Sequence, residues 1–462
     1  MIFNTNFLKP KFKKNGDIGD VLVVALPMLL SMSFDTLMTF VDRLFLAKLS
    51  PFEMNAALGG GGTQIVMTNL FVGVLSYATA MVAQRLGAKK NIECSQVTVQ
   101  SMYFALICMP LIFLTIPLGY FLFDLQHLDP QQMEPQKLYF KILIFGSRLV
   151  LARSVLANFF TGIGETKIIM KSAFVALLVN VVANYLLIFG HGPFPKLGIA
   201  GAAYGTLLGT FASVAMMAVV YFSKRNRHRF GTACNFGWDS ATMKELCVRG
   251  IPCGIEFFLN MFAFQSLLFL FHGLGAVSAT AASVMFNWDM VAYVPLMGLE
   301  IAATSLVGRY VGAKNAAAAR RSCLSGLKIG WAYSALIAVL FVLLPGVLVD
   351  IFSPDVVSDV FNEARPMSML MLRVALFYII SEVLLVIFAG ALRGAGDTMW
   401  VMFTSVCMNW FVTTTLYISA YLIHLPAQYA WCVLVVSYTL WPFVFLWRWK
   451  SGKWRRHVLE AL

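Results

Sequence analysis

Twelve long apolar segments recur along the chain, and they constrain its fold more than any other feature of the sequence. An α-helix rises about 1.5 Å per residue, so roughly 20 apolar residues cross the hydrocarbon core of a bilayer. The segments reach this length and several exceed it, which indicates tilted helices or helices that extend past the bilayer. We therefore predict an all-α, multi-pass integral membrane protein with spans near residues 17–48, 54–84, 93–124, 137–161, 168–189, 198–223, 241–272, 277–311, 318–351, 366–392, 398–423 and 427–449.

The composition excludes a soluble globular protein. Of the 462 residues, 59% are hydrophobic and only 12% are charged, and the mean hydropathy is +0.77. A soluble domain carries about 25% charged residues. The net charge of +13 could indicate a nucleic-acid partner. We reject that interpretation because the basic residues lie in short runs between apolar segments, as topology signals do.

Charges in the connecting loops alternate and predict the orientation. Basic loops of membrane proteins face the cytoplasm. The basic set comprises Lys9 to Lys14, Arg85, Lys89, Lys90, Lys167, Lys171, Lys224, Arg225, Arg227, Arg229, Arg309, Lys314, Arg320, Arg321, Arg393, and Arg448 to Arg456. The acidic set comprises Asp124, Asp129, Glu134, Asp350, Asp355, Asp359 and Glu363. We expect both termini in the cytoplasm and the protein in the cell inner (cytoplasmic) membrane. The N-terminus shows no cleavable signal, so the first span is expected to be retained.

The two halves of the chain resemble each other. Pro27 and Pro252, Leu49 and Leu274, and Gly87 and Gly312 are each separated by 225 residues, and GIGET at 162–166 resembles GAGDT at 394–398. This order predicts two pseudo-symmetric six-helix lobes related by a parallel repeat, as in many transporters. The predicted domains are a cytoplasmic segment 1–16, an N-lobe 17–224, a cytoplasmic linker 225–240, a C-lobe 241–449 and a cytoplasmic tail 450–462.

Motifs of other function classes are missing from the sequence. The eight cysteines form no CxxC or Cys/His spacing, so neither a disulfide framework nor a cysteine metal site is expected. No HExxH motif or nucleophile elbow occurs, and the six histidines lie in or near loops and span ends, so we expect no enzyme and no cofactor. Two repeated lobes without a pore-loop signature favour alternating access over a channel.

The motifs together resemble the multidrug and toxic compound extrusion (MATE) family, with a NorM-like, bacterial pattern. They are ALP…FVDRLFLAKLS, VAQRLGAKK, TGIGETK, NVVANYLLIFGHGPFPKLGIAGAAYGT, GIPCGIEF, LVGRYVGAKN and LRGAGDT, and they run in the family's order from about Pro27 to Thr398. The resemblance implies a V-shaped pair of lobes. It also implies export of cationic or amphipathic drugs in exchange for sodium ions or protons. We expect a monomer in contact with membrane lipids and without nucleic acid.

Polar residues of the first half provide one candidate site. An ionisable group inside a span is costly unless it is paired or wetted, so each one indicates a function. Asp35 and Asp42 lie two turns apart on one face, and Asn180 and Asn184 share a face at i, i+4. The resemblance implies a cation or proton site at Asp42 with the Asn pair, and with Thr206 of the sixth span nearby. Position 184 is commonly Asp and position 35 commonly Gln in the family. We interpret this as a carboxylate moved to Asp35, and we expect Asp35 and Asp42 to act as a unit.

The second half provides a richer candidate site. Glu256 and Asn260 lie in the seventh span, and Tyr378 and Glu382 lie at i, i+4 in the tenth. The resemblance places a cation site at Glu256, Tyr378 and Glu382, where Glu replaces the common Asp. Two close carboxylates in a low dielectric share a proton or hold a cation between them, and hard oxygen ligands suit sodium. Asp289 and Glu300, three turns apart on one face of the eighth span, are expected to line the substrate cavity with Asn260 and Thr206.

One alternative function remains open at this point. A flippase for lipid-linked sugars shares the superfamily architecture and often carries cationic residues that hold a pyrophosphate. The charges that we place inside the spans are acidic, which favours cationic substrates. Neither the substrate nor the choice between sodium and protons follows from the sequence, because both ions use the same carboxylates.

Overall fold

The computed structural model describes residues 16–125, 129–353 and 359–454, and throughout these ranges the regular secondary structure is helical. Within them, twelve helices are long and apolar enough to cross a membrane. The predicted number of spans is confirmed, and the chain is an all-α, multi-pass membrane protein. The helices are α1 (Ile18–Ala47), α2 (Pro51–Gly87), α3 (Asn91–Asp124), α4 (Pro130–Gly162), α5 (Thr166–Phe189), α6 (Ile199–Tyr221), α7 (Ser240–Gly273), α8 (Ala276–Gly312), α9 (Ala316–Leu343), α10 (Asp359–Ala395), α11 (Thr398–Leu422) and α12 (Ala427–Lys450).

The fourth helix starts earlier than its apolar run does. It begins at Pro130 instead of near residue 137, because Asp129 caps it by accepting a hydrogen bond from the Gln131 amide at 2.8 Å. A capping carboxylate followed by proline is a favourable helix start. The tenth helix likewise starts at Asp359, before the predicted residue 366. The basic residues from Lys9 to Lys14, Asp355, and the end of the tail (455–462) lie outside the described residues.

The chain divides into two compact units. The first unit contains Val23–Ile255, and the second contains residues 16–22 and 256–454. The division therefore falls inside α7, whereas the sequence boundary was the loop 225–240. The predicted domain limits stay a prediction, and the two units are described separately below.

Both units contain the same tight turn after their second spanning helix. Lys89 has a φ of 62° and Lys314 a φ of 55°, a conformation uncommon for a residue with a Cβ. In each turn the following amide reaches back five residues: that of Lys90 bonds the Arg85 carbonyl at 2.9 Å, and that of Asn315 bonds the Tyr310 carbonyl at 2.8 Å. This shared conformation supports the internal repeat that the motifs at these positions predicted.

A second repeated turn ends in a buried carboxylate. Gly164 and Gly396 have φ values of 77° and 93°, which glycine adopts at little cost. The residues that follow, Glu165 and Asp397, are both buried. Burial raises the pKa of Glu165, and the guanidinium of Arg225, 2.6 Å from its carboxylate, opposes that increase.

Asp397 forms the corresponding ion pair in the second unit, with Arg448 at 2.8 Å. Arg448 lies at the end of the last helix, and Arg225 follows the last spanning helix of the first unit. Both halves therefore tie this turn to the end of the sixth helix, or to the segment directly after it, with a salt bridge whose carboxylate is buried.

Two glycines allow the close helix contacts that position the polar interior. A Cβ at Gly205 on α6 would meet the Asn184 side-chain oxygen at 1.9 Å. A Cβ at Gly390 on α10 would meet the Glu300 carbonyl oxygen of α8 at 2.5 Å. Any larger residue would push these helices apart. Asn184 and Glu300 can therefore occupy their positions only because residues 205 and 390 are glycines.

An aromatic cluster supports the polar interior of the second unit. Trp431 on α12 is 1% exposed, and its indole N–H donates to the Met371 carbonyl at 3.2 Å. Its ring centroid lies 5.8 Å from that of Phe286 and 6.4 Å from that of Tyr378, both in edge-on geometry. Such contacts fix the orientation of aromatic rings, and they hold Tyr378 against α12.

Candidate cation sites

The polar interior of the first unit centres on Asp42. Its carboxylate is 6% exposed and accepts hydrogen bonds from the Asn184 amide and from the Thr206 hydroxyl, the latter at 3.0 Å. Asn184 also donates to the Asn180 oxygen at 3.3 Å. The structure therefore brings together four residues from α1, α5 and α6 that the sequence singled out. Thr206, expected in the substrate cavity, lies in this cluster.

Two amide atoms of the Asp42 cluster are buried without a hydrogen-bond partner among the described residues. They are Nδ2 of Asn180 and Oδ1 of Asn184. Buried polar atoms are normally paired, so an orphaned donor and an orphaned acceptor beside a carboxylate indicate room for a small polar ligand or water. The Asp42 carboxylate and the Asn184 oxygen are acceptors, so these are the atoms of the cluster that can bind a proton or a small cation.

Asp35 has a partner that the sequence analysis missed. Arg153 on α4 donates from one nitrogen to both carboxylate oxygens, at 2.8 and 2.9 Å. The pair is partly exposed, with 38% of the Asp35 side chain accessible. Asp35 and Asp42 thus have separate partners, and the charge of Asp35 is already compensated. Their action as a unit stays a prediction that this geometry does not favour.

The second unit contains a cavity of about 340 Å³. Acidic groups and hydroxyls line it together with apolar and aromatic side chains. The described lining comprises Glu256, Asn260, Ala263, Phe264, Leu267, Phe286, Asp289, Met290, Tyr293, Glu300, Tyr378, Glu382, Leu385, Val386, Ala389, Arg393, Ser405, Met408, Asn409, Val412, Thr413, Trp431, Leu434 and Tyr438. Every candidate residue that the sequence analysis placed in the second half of the chain is on this surface.

An ion triad occupies one part of the cavity wall. Arg393 on α10 lies 2.7 Å from the carboxylate of Glu256 on α7 and also contacts the carboxylate of Glu300 on α8. Glu256 is 2% exposed. The guanidinium carbon lies 5.9 Å from the ring centre of Phe257. Two carboxylates and one guanidinium carry a net charge of −1 when all are ionised.

Tyrosines hold the other two carboxylates. The Tyr378 hydroxyl donates to Asp289 at 2.5 Å, and the Tyr438 hydroxyl donates to Glu382 at 3.1 Å. The two tyrosine rings meet edge-on, with centroids 5.5 Å apart. The four side chains therefore form one continuous group, in which neutral donors stabilise both carboxylates.

These pairings differ from the sequence expectation. Glu256 and Glu382 were expected to face each other with Tyr378 beside Glu382. Instead, Glu256 bonds Arg393, and the packing of Tyr378 on Trp431 leaves its hydroxyl pointing at Asp289. A spacing of i, i+4 places two residues on one helix face but does not fix which neighbour each one contacts.

The lining of this cavity carries side-chain oxygens of the kind that bind a hard cation. Oδ1 of Asn260 is buried there without a partner among the described residues. Carboxylate, hydroxyl and amide oxygens are the ligands that sodium prefers. Within the described ranges, no group of three or more His, Cys, Asp or Glu residues is arranged to hold a metal ion.

Comparison with known proteins decides the family. The MatE sequence profile matches residues 27–186 and 252–418, which is most of the chain and covers both halves. The chain belongs to the MatE family. It is similar to a probable multidrug resistance protein NorM of Bacillus licheniformis, with 27% identity over 85% of this chain and 86% of that protein. It is also similar to the multidrug resistance protein PmpM of Pseudomonas aeruginosa, with 28% identity over 85% and 82%.

The fold of solved transporters agrees with this membership. A MOP superfamily transporter from Pyrococcus furiosus matches with a TM-score of 0.86 and 21% identity, covering 97% of this chain and all of that one. At this identity the likeness concerns the fold alone. The architecture expected from the motifs, a MATE-type fold of twelve helices, is thereby confirmed.

Three residues of this MatE protein's interior were missed or misplaced by the sequence analysis. Arg153 could have been found, because it lies inside the predicted fourth span and a basic residue within a span requires an acidic partner. Arg393 was assigned to a cytoplasmic loop, but α10 continues to Ala395 and keeps it inside the helix. Tyr438 lies in the middle of α12, and it carried no signal because an isolated tyrosine in an apolar span does not reveal the carboxylate that it bonds. The expectation of purely acidic charges inside the spans was therefore wrong.

Proposed function

We propose that the chain is a secondary active antiporter for multidrug efflux. It exports cationic or amphipathic compounds in exchange for sodium ions or protons by alternating access. The observation that carries this proposal is the cavity in the second unit, where four carboxylates line an apolar helix bundle and the described lining contains one basic side chain, Arg393. Buried carboxylates in such excess need protons or cations to compensate them. The names of the NorM and PmpM relatives support multidrug efflux.

Exchange follows from competition for the same negative charge. A drug cation and a coupling cation each neutralise the carboxylates, so binding of one weakens binding of the other. If the cavity faces the cytoplasm and the outside in turn, an inward ion gradient drives the drug outward. The apolar part of the lining, with Phe264, Phe286, Met290 and Met408, offers adaptable contacts to varied substrates.

The Asp42 cluster is the second place where we propose cation or proton coupling. Its carboxylate is bonded by uncharged donors, Asn184 and Thr206, so a cation or proton can still compensate it. Asp35, whose charge Arg153 compensates, is the weaker candidate in this unit. The division of drug and ion between the two sites belongs to the proposal.

The orientation and location are proposed from loop charge. Within the described residues, basic side chains such as Lys90, Arg227 and Lys314 lie at one set of helix ends, and acidic ones such as Asp129 and Asp350 lie at the other. The positive-inside rule then places the basic ends in the cytoplasm of a bacterial inner membrane, with both termini on that side. We propose a functional monomer surrounded by membrane lipids.

The flippase alternative is less well supported. A pyrophosphate needs positive groups that are available to it. In the described interior, Arg153 is held by Asp35, and Arg393 is held by Glu256 and Glu300. The cavity of the second unit therefore offers negative charge, which suits a cation.

Transport in proteoliposomes tests the proposal. The purified protein is reconstituted, and uptake of ethidium or tetraphenylphosphonium is followed with a sodium gradient or a pH gradient imposed separately. Vesicles containing the Glu382→Gln variant serve as the matched control. We expect one of the gradients to drive uptake several-fold above the control. If neither gradient does so in vesicles that contain folded wild-type protein, the antiport proposal is wrong.

A further inference from the structure

We propose that Arg393 is a built-in cation that occupies Glu256 and is displaced onto Glu300 when a transported or coupling cation binds Glu256. The inference deepens the proposed function, on which it rests, by assigning a positioning residue to the same cavity. Arg393 acts through Glu256: it sets how tightly that carboxylate binds an incoming cation and thereby allows the cation to leave again.

The positions of the three residues allow Arg393 to exchange one of its two carboxylate partners. The residues lie on three helices, and only two of these helices are held together by the contacts described next. Arg393 and Glu300 belong to α10 and α8, which are in direct backbone contact. The Thr304 hydroxyl donates to the Gly390 carbonyl at 3.0 Å, and a Cβ at Gly390 would lie 2.5 Å from the Glu300 carbonyl oxygen. These contacts keep Arg393 beside Glu300. Glu256 is on α7, a different helix, so it is the partner that can be exchanged.

Charge balance gives the direction of the exchange. The triad carries −1 when its members are ionised, and one monovalent cation makes it neutral. With the cation on Glu256 and Arg393 on Glu300, each carboxylate has one positive partner. Arg393 therefore never becomes an unpaired buried charge, which would be strongly destabilising. The bridge to two carboxylates distinguishes this arrangement from a simple salt bridge, in which losing the partner strands the arginine.

A purely structural bridge makes a different prediction from a competing cation. If Arg393 only stabilises the fold, then Arg393→Gln and Glu300→Gln both loosen the cavity and both weaken cation binding. If Arg393 competes for Glu256, the two variants act in opposite directions. Removing Arg393 leaves Glu256 uncompensated and tightens cation binding, whereas removing Glu300 leaves Arg393 entirely to Glu256 and weakens it.

The experiment measures the cation dependence of drug binding to the purified full-length chain in detergent. The bound drug is ethidium or tetraphenylphosphonium, and it is displaced in one of two titrations: with sodium at fixed pH, or with protons in a buffer that contains potassium salt instead of sodium. The titration to which the wild type responds is then used for all variants. We expect half displacement of the drug from Arg393→Gln to need roughly tenfold less cation than from the wild type, and from Glu300→Gln roughly tenfold more. A tenfold shift corresponds to about 1.4 kcal/mol of binding free energy. In proteoliposomes Arg393→Gln should bind well but turn over slowly.

The matched control is Arg448→Gln. Its partner Asp397 is also buried, but neither residue lines the cavity, so the variant should lose stability without any shift in cation affinity. A further control adds Glu256→Gln to Arg393→Gln, because the effect of Arg393 should vanish when Glu256 has no charge. If Arg393→Gln does not fold, Arg393→Lys decides between the two roles. This variant keeps the positive charge but loses the guanidinium bridge, so it should bind cations like the wild type if Arg393 competes for Glu256, and should bind them much more weakly if Arg393 is only a structural bridge.

Three results would overturn the inference. Arg393→Gln and Glu300→Gln could shift cation affinity in the same direction, or the shift caused by Arg393→Gln could persist in the Glu256→Gln background. The third result is a large loss of cation affinity in Arg393→Lys, as a structural bridge predicts. These results leave the antiport proposal intact as long as the wild type shows gradient-driven uptake. A wild type without such uptake instead refutes the proposed function itself.

Discussion

The two units share a scaffold but stabilise their buried carboxylates in different ways. Both contain the same positive-φ turn, at Lys89 and Lys314, and a corresponding ion pair between a buried carboxylate and an arginine at the end of, or just after, the sixth helix. In the first unit, Asp42 accepts hydrogen bonds from an amide and a hydroxyl, and Asp35 forms an ion pair with Arg153. In the second unit, one arginine bridges two carboxylates and two tyrosines hold the others.

The difference teaches that the two halves are alike at the turns and ion pairs that fix the backbone and unlike in the way they stabilise their buried carboxylates. The turns and their ion pairs need the same geometry in both halves, so the sequence repeat is strongest there. The interiors need only to compensate negative charge, and several chemistries achieve that. The larger excess of carboxylates in the second unit predicts that it carries more of the transport function.

The largest expected effect is that of Glu382→Gln. This variant removes the carboxylate that Tyr438 holds and that Arg393 does not compensate. We expect gradient-driven export to fall on the order of 100-fold, within the usual range of coupling between two ligands. Drug-for-drug exchange in proteoliposomes should persist, and Glu382→Asp should restore most of the driven transport. Normal driven transport by Glu382→Gln would remove the asymmetry between the units.

A smaller loss is expected from Asp42→Asn. The variant removes a carboxylate whose hydrogen-bond partners are neutral, so the protein should still fold. If the Asp42 cluster is one of two sites that couple ion and drug transport, gradient-driven export should fall roughly tenfold. Thermal unfolding in detergent controls for stability. A loss as large as that of Glu382→Gln would place the main coupling site in the first unit and reverse the comparison.

Asp35→Asn should mainly affect stability. It leaves the Arg153 guanidinium without its carboxylate inside the membrane-spanning bundle. Because the pair is partly exposed, we expect a loss of about 1–2 kcal/mol, below the value for a fully buried pair. The double variant Asp35→Asn with Arg153→Gln should recover most of it. A strong transport defect that the double variant does not repair would instead give Asp35 the direct coupling role predicted from the sequence.

The smallest effect concerns Asp239, which precedes α7 in the first unit. It accepts hydrogen bonds from the Thr242 hydroxyl at 2.6 Å and the Ala241 amide at 3.0 Å, and these bonds hold the pKa of its carboxyl below the usual range. A lowered folded-state pKa contributes stability above about pH 4, which is lost as the pH falls through the folded value. Asp239→Asn should therefore flatten the fall in melting temperature between pH 5 and pH 3.

Helix number, fold and family followed from the sequence because long apolar runs and turn motifs are local signals. The start of α4 did not, since Asp129 and Pro130 extend the helix beyond the apolar run. Likewise, the candidate residues were found individually as charges inside spans, but their partners were not. The bond from Tyr378 to Asp289 depends on packing against Trp431, 53 residues away in the chain, which no local pattern encodes.

The burial of Trp431 beside Tyr378 has a practical consequence: it supplies an optical reporter for the cavity. Indole emission responds to nearby charge, and this ring lines the cavity while edge-on to the tyrosine that holds Asp289. A cation that enters the cavity should therefore change the fluorescence of the unlabelled protein. The chain has ten tryptophans, so subtracting the spectrum of Trp431→Phe would isolate this signal. Loading and release of the cavity could then be timed by stopped flow without attaching any dye.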